Sequence, residues 1–291
     1  MKLPNFIIIG APKSGTTSLA EYLKFHPQVF MSSLKESYFF NKQDAYKDPV
    51  RLASYSKLFE EAPEQAIAIG EACAQYIYNP LTPGRIHALI PDVKLIAILR
   101  DPADRAFSEY LMAYRSGRLT SIPDEKNIEA SFIESLKDPE LNTSKRYFAS
   151  LQPYFETFDA GQIKIFLFED LKQRPEELLK EVFGFLGIDK NVSIDFSRKT
   201  YNKGGLPKNR ALFRGLEILR GRVREPLVKM LPQSLYAKLR LGYSYVKEAN
   251  LKSDSLKLSP AGREKVIEQH REDIYQLQNL IGRDLSSWLQ S

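Results

Sequence analysis

The chain has 291 residues, 43% hydrophobic and 11% aromatic, enough to bury one large core with an appendage, so a single domain spanning 1–291 is expected. One cysteine, Cys73, excludes an intrachain disulfide, three histidines speak against a histidine-rich metal site, and no run approaches the roughly 18 apolar residues of a membrane span. Residues 1–9 are too short and too poor in basic residues for a signal peptide, so a cytoplasmic protein is expected, and its net charge of +6 is unevenly spread.

The first predicted strand is the apolar run at 6–9. Directly behind it stands GAPKSGTTSL, residues 10–19. Gly10 and Gly15 keep the spacing of a nucleoside-triphosphate loop, G-x-x-x-x-G-K-[ST], but Lys13 precedes the second glycine, and Thr16 and Thr17 follow it. The anion-holding physics survives that change. Amides from Ser14 onward open a helix, predicted over 16–25 and stopped before His26-Pro27, whose unpaired N–H groups and dipole favour negative charge. Magnesium-centred chemistry is less well served, because no lysine follows Gly15.

KESYFF, residues 35–40, places Lys35 and Glu36 before Tyr38, Phe39 and Phe40, three aromatic side chains read as core or pocket wall. A strand is expected at 66–69, followed by GEACAQY at 70–76. The next, at 95–99, delivers RDPADRAFSEY, residues 100–110. Arg100 ends that strand, Asp101 is the N-cap and Pro102 the first residue of a helix predicted over 102–115, with Gly117 near its end. Ser108 lies two turns in, so Arg100 and Ser108 offer a guanidinium fork and a hydroxyl to an anion; a local Arg100–Asp101 ion pair is the alternative. Ligands of open α/β sheets bind outside the carboxyl ends of the strands, where both segments fall.

Tyr147 lies on an amphipathic helix and reads as packing. A strand is predicted at 163–168, a helix at 175–186 closed by Gly187, and a long amphipathic helix at 260–280 stopped by Gly282. This alternation defines an α/β fold: a P-loop-like parallel sheet flanked by helices. The section 200–259 breaks the pattern with Gly204-Gly205, Pro207, Pro226 and Pro232 between short leucine-rich pieces at 211–223 and 227–231, and reads as a helical basic insertion at about 205–255. Between 205 and 250 ten Lys/Arg stand against three Glu, a balance of +7 that leaves −1 elsewhere. Such a segment suits an anionic partner or peripheral membrane contact, and equally a solvated helical face. Within NKGG, residues 202–205, Lys203 and Gly204 form either a hinge or a loop closing over a phosphate. His26, His87 and His270 have no metal-ligand spacing and read as structural or surface residues.

Together, the Lys13 loop and the Arg100…Ser108 pair resemble the sulfotransferases that use 3'-phosphoadenosine 5'-phosphosulfate (PAPS), most closely the heparan-sulfate type and its bacterial relatives. Their order, the eight-residue Arg-to-Ser spacing and the strand contexts carry the likeness. It implies that Lys13, Ser14, Gly15, Thr16, Thr17 and Ser18 bind the 5'-phosphosulfate and that Arg100 and Ser108 bind the 3'-phosphate. KESYFF resembles the family segment whose glutamate is the catalytic base, which puts that role on Glu36 and leaves Lys13 at the leaving group. RYFASLQPYFETF, IKIFLFEDL and FLGI resemble the family's later helix, strand and closing helix, and GRDLSSW its ending. One departure lies in GEACAQY: many heparan-type members carry E-K-[ST]-P there, and Ala72 stands in place of a polysaccharide-binding lysine. The resemblance implies PAPS as donor, adenosine 3',5'-bisphosphate (PAP) as product, no metal requirement, no nucleic acid, and an acceptor hydroxyl or amine that is carbohydrate or lipid-linked. Two rival readings are a P-loop kinase or NTPase, and a non-catalytic nucleotide-binding module at a membrane. The first lacks an acidic residue at the end of 95–99, and intact Lys13 and Glu36 argue against the second.

Overall fold

The computed structural model describes residues 1–116, 119, 127–137, 145–196, 206–209 and 256–290, with scattered positions between 211 and 251. Gly117, Lys203, Gly204 and most of the insertion expected at 205–255 lie outside the described residues.

Five strands form one sheet: β1 (Phe6–Gly10), β2 (Val29–Met31), β3 (Ala68–Ala72), β4 (Lys94–Leu99) and β5 (Ile163–Leu167), in the order β2-β3-β1-β4-β5 with every pairing parallel. Parallel neighbours need crossovers, and helices supply them. The described helices are α1 (Thr16–Leu23), α2 (Pro49–Ser56), α3 (Thr82–Leu89), α4 (Pro102–Ser116), α5 (Ile128–Ser135), α6 (Tyr147–Thr157), α7 (Phe168–Gln173), α8 (Pro175–Leu186) and α9 (Pro260–Ile281). The expected α/β class is therefore observed.

The central strands read as unbroken apolar runs because both faces are covered. Ile7 and Ile9 of β1, with Leu95, Ala97 and Leu99 of β4, enter a core shared with Tyr147, Trp288 and Val266, Ile267 and Ile274 of α9. Phe6 and Ile8, with Ile96 and Ile98, face the opposite core, built with Leu19 and Leu23 of α1 and Leu178, Val182 and Phe183 of α8. The chain runs from β1 to the edge strand β2, returns to β3 beside β1, then crosses to β4 on the other side of β1. That reversal opens a crevice at the carboxyl ends of β1 and β4, where the sequence places its two anion-binding segments.

Several boundaries move. The strand expected at 66–69 is Ala68–Ala72, since Ile67 is still exposed and the strand continues through Glu71, whose charge is hidden by buried partners. The run at 163–168 ends at Leu167, because Phe168 opens α7. The first helix stops at Leu23 rather than residue 25, with Phe25 left exposed. The helices expected at 102–115 and 260–280 each run one residue longer, whereas 175–186 is met at both ends, with Gly187 at φ 78°. Asp101 caps α4 as expected, its Oδ1 accepting from the amides of Ala103 at 2.9 Å and Asp104 at 3.1 Å, but its ion-pair partner is Arg263 and not Arg100.

Candidate active site

Sterics shape the loop between β1 and α1. A Cβ on Gly10 would lie 2.7 Å from Cβ of Ile77, and one on Gly15 would lie 2.8 Å from Cδ2 of Phe168. Gly15 also sits at φ 94°, in the left-handed region that L side chains avoid. As N-cap it has no side chain with which to satisfy the first-turn amides of Thr16, Thr17 and Ser18, so that helix end favours an anion. Lys13, at φ 67°, lays its Nζ 3.8 Å from Sδ of Met112 on α4, and Lys35 donates its ammonium hydrogen to Oγ1 of Thr17. Ser14 is fully buried beside Tyr147. Lys35 thus brings an ammonium group to the first turn of α1, while the Lys13 ammonium lies against α4.

Arg100 closes the loop from the neighbouring strand. Its Nη1 donates to the Lys13 carbonyl at 3.5 Å, its Nη2 to Oδ2 of Asp104 at 3.0 Å, and the guanidinium lies 4.9 Å from the centre of the Phe168 ring. Nε of Arg100 is buried without a hydrogen-bond partner among the described residues. The Tyr147 hydroxyl donates to the Arg100 carbonyl at 2.9 Å and accepts from its amide at 3.4 Å, fixing the backbone of the strand end. Burial pushes that phenol above its ordinary range against the pull of Arg105, so it stays neutral. Tyr147 is therefore more than packing. Ser108, partly buried on α4, stands one turn beyond Asp104, the residue that holds the guanidinium.

Glu36 lies on the segment after β2 and docks against the end of β3. It sits at φ 59°, its amide donates to the Ala72 carbonyl at 2.9 Å, and its Oε1 accepts from the Ala74 amide at 3.3 Å. Oε2 is buried and takes no hydrogen bond among the described residues. The aromatic triplet behind it divides: Phe39 and Phe40 are buried, Phe39 stacking on Tyr55 at 4.0 Å, while Tyr38 at φ 55° is 42% exposed. Cys73 is buried, and burial together with the Glu36 and Glu71 carboxylates pushes its thiol far above the ordinary range, leaving it unreactive. His26 and His270 are buried, the first bonding to the Asp189 carbonyl at 2.8 Å. Among the described residues no His, Cys, Asp and Glu side chains cluster as metal ligands, and no helix is long and apolar enough to cross a membrane.

The structure thus joins the Lys13 loop and Arg100, and puts Glu36 beyond the neighbouring β3. Phe168, which lies against both Gly15 and Arg100, was not singled out from the sequence because it looked like the end of a buried strand. Lys35 stood next to Glu36 in the quoted motif, yet nothing local showed that it reaches α1.

A glycine-bounded lysine loop at the end of a central parallel strand, with an arginine at the end of the next, defines an α/β protein of the P-loop-like kind. The family model described as the sulfotransferase domain matches residues 3–203, and the chain belongs to that family. The membrane-associated sulfotransferase kil1 of Dictyostelium discoideum is 44% identical over 110 residues, covering 37% of this chain and 22% of that protein. Heparan sulfate glucosamine 3-O-sulfotransferase 3A1 of Mus musculus is 31% identical over 198 residues, 66% of this chain and 48% of that one. Carbohydrate sulfotransferase 15 of Homo sapiens is 29% identical over 246 residues, 64% and 44% respectively. The chain therefore spans less than half the length of these curated relatives. The crystal structure of a sulfotransferase from Alicyclobacillus acidocaldarius matches 99% of both chains at 25% identity with a TM-score of 0.66.

Proposed function

We propose that this chain transfers a sulfuryl group from PAPS to an acceptor hydroxyl or amine, with carbohydrate as the first acceptor class to test. The observation that carries the reading is the hydrogen bond from Arg100 to the Lys13 carbonyl, which unites two anion-binding segments 87 residues apart at one crevice. PAPS bears anionic groups on the 3' and the 5' positions of its ribose, and the residues present fit it. Lys13 and the first-turn amides of α1 suit the 5' end, and Arg100 with Ser108 suits the 3'-phosphate. The Arg100 guanidinium is anchored on one side, and its Asp104 partner is half exposed, so the pair is open to a competing phosphate.

Bound there, PAPS supplies an activated sulfuryl group. Lys13 sets a positive charge where the leaving phosphate gains negative charge, which is where electrostatic stabilisation lowers a transfer barrier. A sulfuryl group carries less charge than a phosphoryl group, so an ammonium suffices at that position. Glu36 takes the acceptor proton, with one carboxylate oxygen held by the Ala74 amide. The names of the relatives support a carbohydrate acceptor, and Ala72, standing where a polysaccharide-binding lysine is common, argues against a highly sulfated polymer.

Thermal shift tests the donor. PAP without metal should raise the melting temperature, and ATP with magnesium should raise it much less. The opposite ranking would favour a kinase or NTPase. Transfer from labelled PAPS to glycan, lipid-linked and small-alcohol acceptors then identifies the acceptor class.

A further inference from the structure

Behind Glu36 lies a second carboxylate for which the proposed reaction has no use. Glu71 on β3 is fully buried. The Tyr55 hydroxyl donates to its Oε1 at 2.6 Å, the Tyr76 hydroxyl to the same oxygen at 3.1 Å, and the Ser37 hydroxyl to Oε2 at 2.7 Å. Three hydroxyls therefore converge on one buried carboxyl group. Burial raises its carboxyl above the ordinary range, and the hydrogen bonds from Tyr55, Ser37 and Tyr76 offset only part of that. An interior carboxylate is costly to desolvate, and well-packed apolar residues commonly serve stability as well or better.

The donors show what the carboxylate holds. Tyr55 comes from α2 and Tyr76 from the turn after β3, but Ser37 adjoins Glu36. The Ser37 oxygen accepts from the Phe39 amide at 3.3 Å and lies 2.9 Å from the Tyr76 hydroxyl, so the segment is gripped at several points. On either side of Ser37, Glu36 and Tyr38 both occupy the left-handed region, at φ 59° and 55°. Such residues persist only where their surroundings over-determine the backbone.

We propose that Glu71 is a positioning residue for Glu36, holding through Ser37 the left-handed backbone that sets the Glu36 carboxylate on the Ala74 amide and toward the acceptor. The role rests on Glu36 being the base. Parent, Glu36→Gln, Glu71→Gln, Ser37→Ala and Ser37→Thr are compared as full chains by PAP titration and by kcat and KM for labelled transfer to 4-nitrophenyl glycosides, or to water where no glycoside accepts. Glu71→Gln and Ser37→Ala should keep PAP affinity within about twofold and lower kcat about 10- to 100-fold with little change in KM, the scale of a misaligned catalytic group. Ser37→Thr, which restores the hydroxyl, should recover most of the loss. Should Glu71→Gln fail to fold, Ser37→Ala decides alone. Parental kcat in Ser37→Ala, with Glu36→Gln inactive, overturns the positioning role and leaves the base in place. Parental kcat in Glu36→Gln overturns both. A fall in PAP affinity matching the fall in kcat reduces Glu71 to scaffold and overturns the proposal as well.

Discussion

Gly15 meets two steric demands at once. Its φ of 94° suits glycine, and any Cβ would press into the Phe168 ring at 2.8 Å. Gly15→Ala should therefore cost about 1–3 kcal/mol of stability in urea unfolding. Because Gly15 opens the helix end proposed to hold the 5' group that both ligands carry, the change should also weaken PAP and adenosine 5'-phosphate together in calorimetric titration. Arg100→Ala makes the contrasting case. It should weaken PAP far more than adenosine 5'-phosphate, which lacks the 3' group, and equal losses would remove Arg100 from the 3'-phosphate. Lys13, Gly15 and Arg100 were legible because loop chemistry is written at fixed local spacing. Phe168 was not, since its contacts cross between β-α units. The alternative Arg100–Asp101 pair does not form: Asp101 spends its carboxylate on the α4 cap and on Arg263, and Asp104, four residues on, is left to pair with Arg100.

Among the elements, the six-residue α7 is too short to hold itself and depends on charge for its placement. Asp170, on this helix, accepts from Nη2 of Arg283 at 2.8 Å and from Nε of Arg174 at 3.1 Å, tying α7 to the turn after α9 and to the start of α8. Burial alone would raise the Asp170 carboxyl, but the hydrogen bonds from Arg283 and then Arg174 outweigh it and hold the group below its ordinary 3.8. A carboxyl depressed in the folded state contributes its full stability above 3.8 and loses it as pH falls through the lower folded value. Asp170→Asn should thus destabilise by about 1–3 kcal/mol at neutral pH, and the gap from the parent should close below pH 3.8 in pH-dependent unfolding. A constant gap would exclude the charge as its source. Helix α8 was legible at both ends because Pro175 starts it, Gly187 stops it, and Leu178, Leu179, Val182, Phe183 and Leu186 mark one face. The three-residue β2 offered no periodicity to read, and α2 and α3 were too short and weakly patterned to stand out from the loops. β3 was displaced because a buried glutamate satisfied by hydroxyls looks, in sequence, like the end of a strand.

For the whole molecule, the helix farthest along the chain supports the crevice formed by its beginning. The sulfotransferase match ends at residue 203, yet α9 packs into the core under β1 and β4. Asp273 on α9 accepts from the amides of Tyr147 at 2.7 Å and Ala149 at 3.3 Å, holding the start of α6, and the Tyr147 hydroxyl in turn holds the Arg100 backbone. The helix itself was legible from Pro260 and Gly282, but its hold on the site was not, because these bonds run to backbone amides more than a hundred residues away. His270, one turn before Asp273, reports on this support. Its Nδ1–H donates to the Val266 carbonyl at 2.9 Å. Burial lowers it from an ordinary 6.5 to about 4, with the Arg105 and Arg146 charges pressing the same way and the Val266 bond opposing. The unfolded chain therefore takes up a proton between pH 6.5 and 4 that the folded chain refuses. Stability from this group is complete above 6.5 and declines as pH falls toward 4, by at most about 3 kcal/mol. Asp273 works the other way, since burial raises its carboxyl above the ordinary 3.8 and the folded state gains its proton first. Subtracting parent from His270→Gln, which cannot titrate, removes that background. Urea unfolding from pH 7.5 to 4.5 should show the parent losing stability relative to His270→Gln as pH falls, with most of the change below pH 6.5. Parallel curves for the two proteins would mean that His270 takes its proton in the folded chain and that α9 opens to let it in.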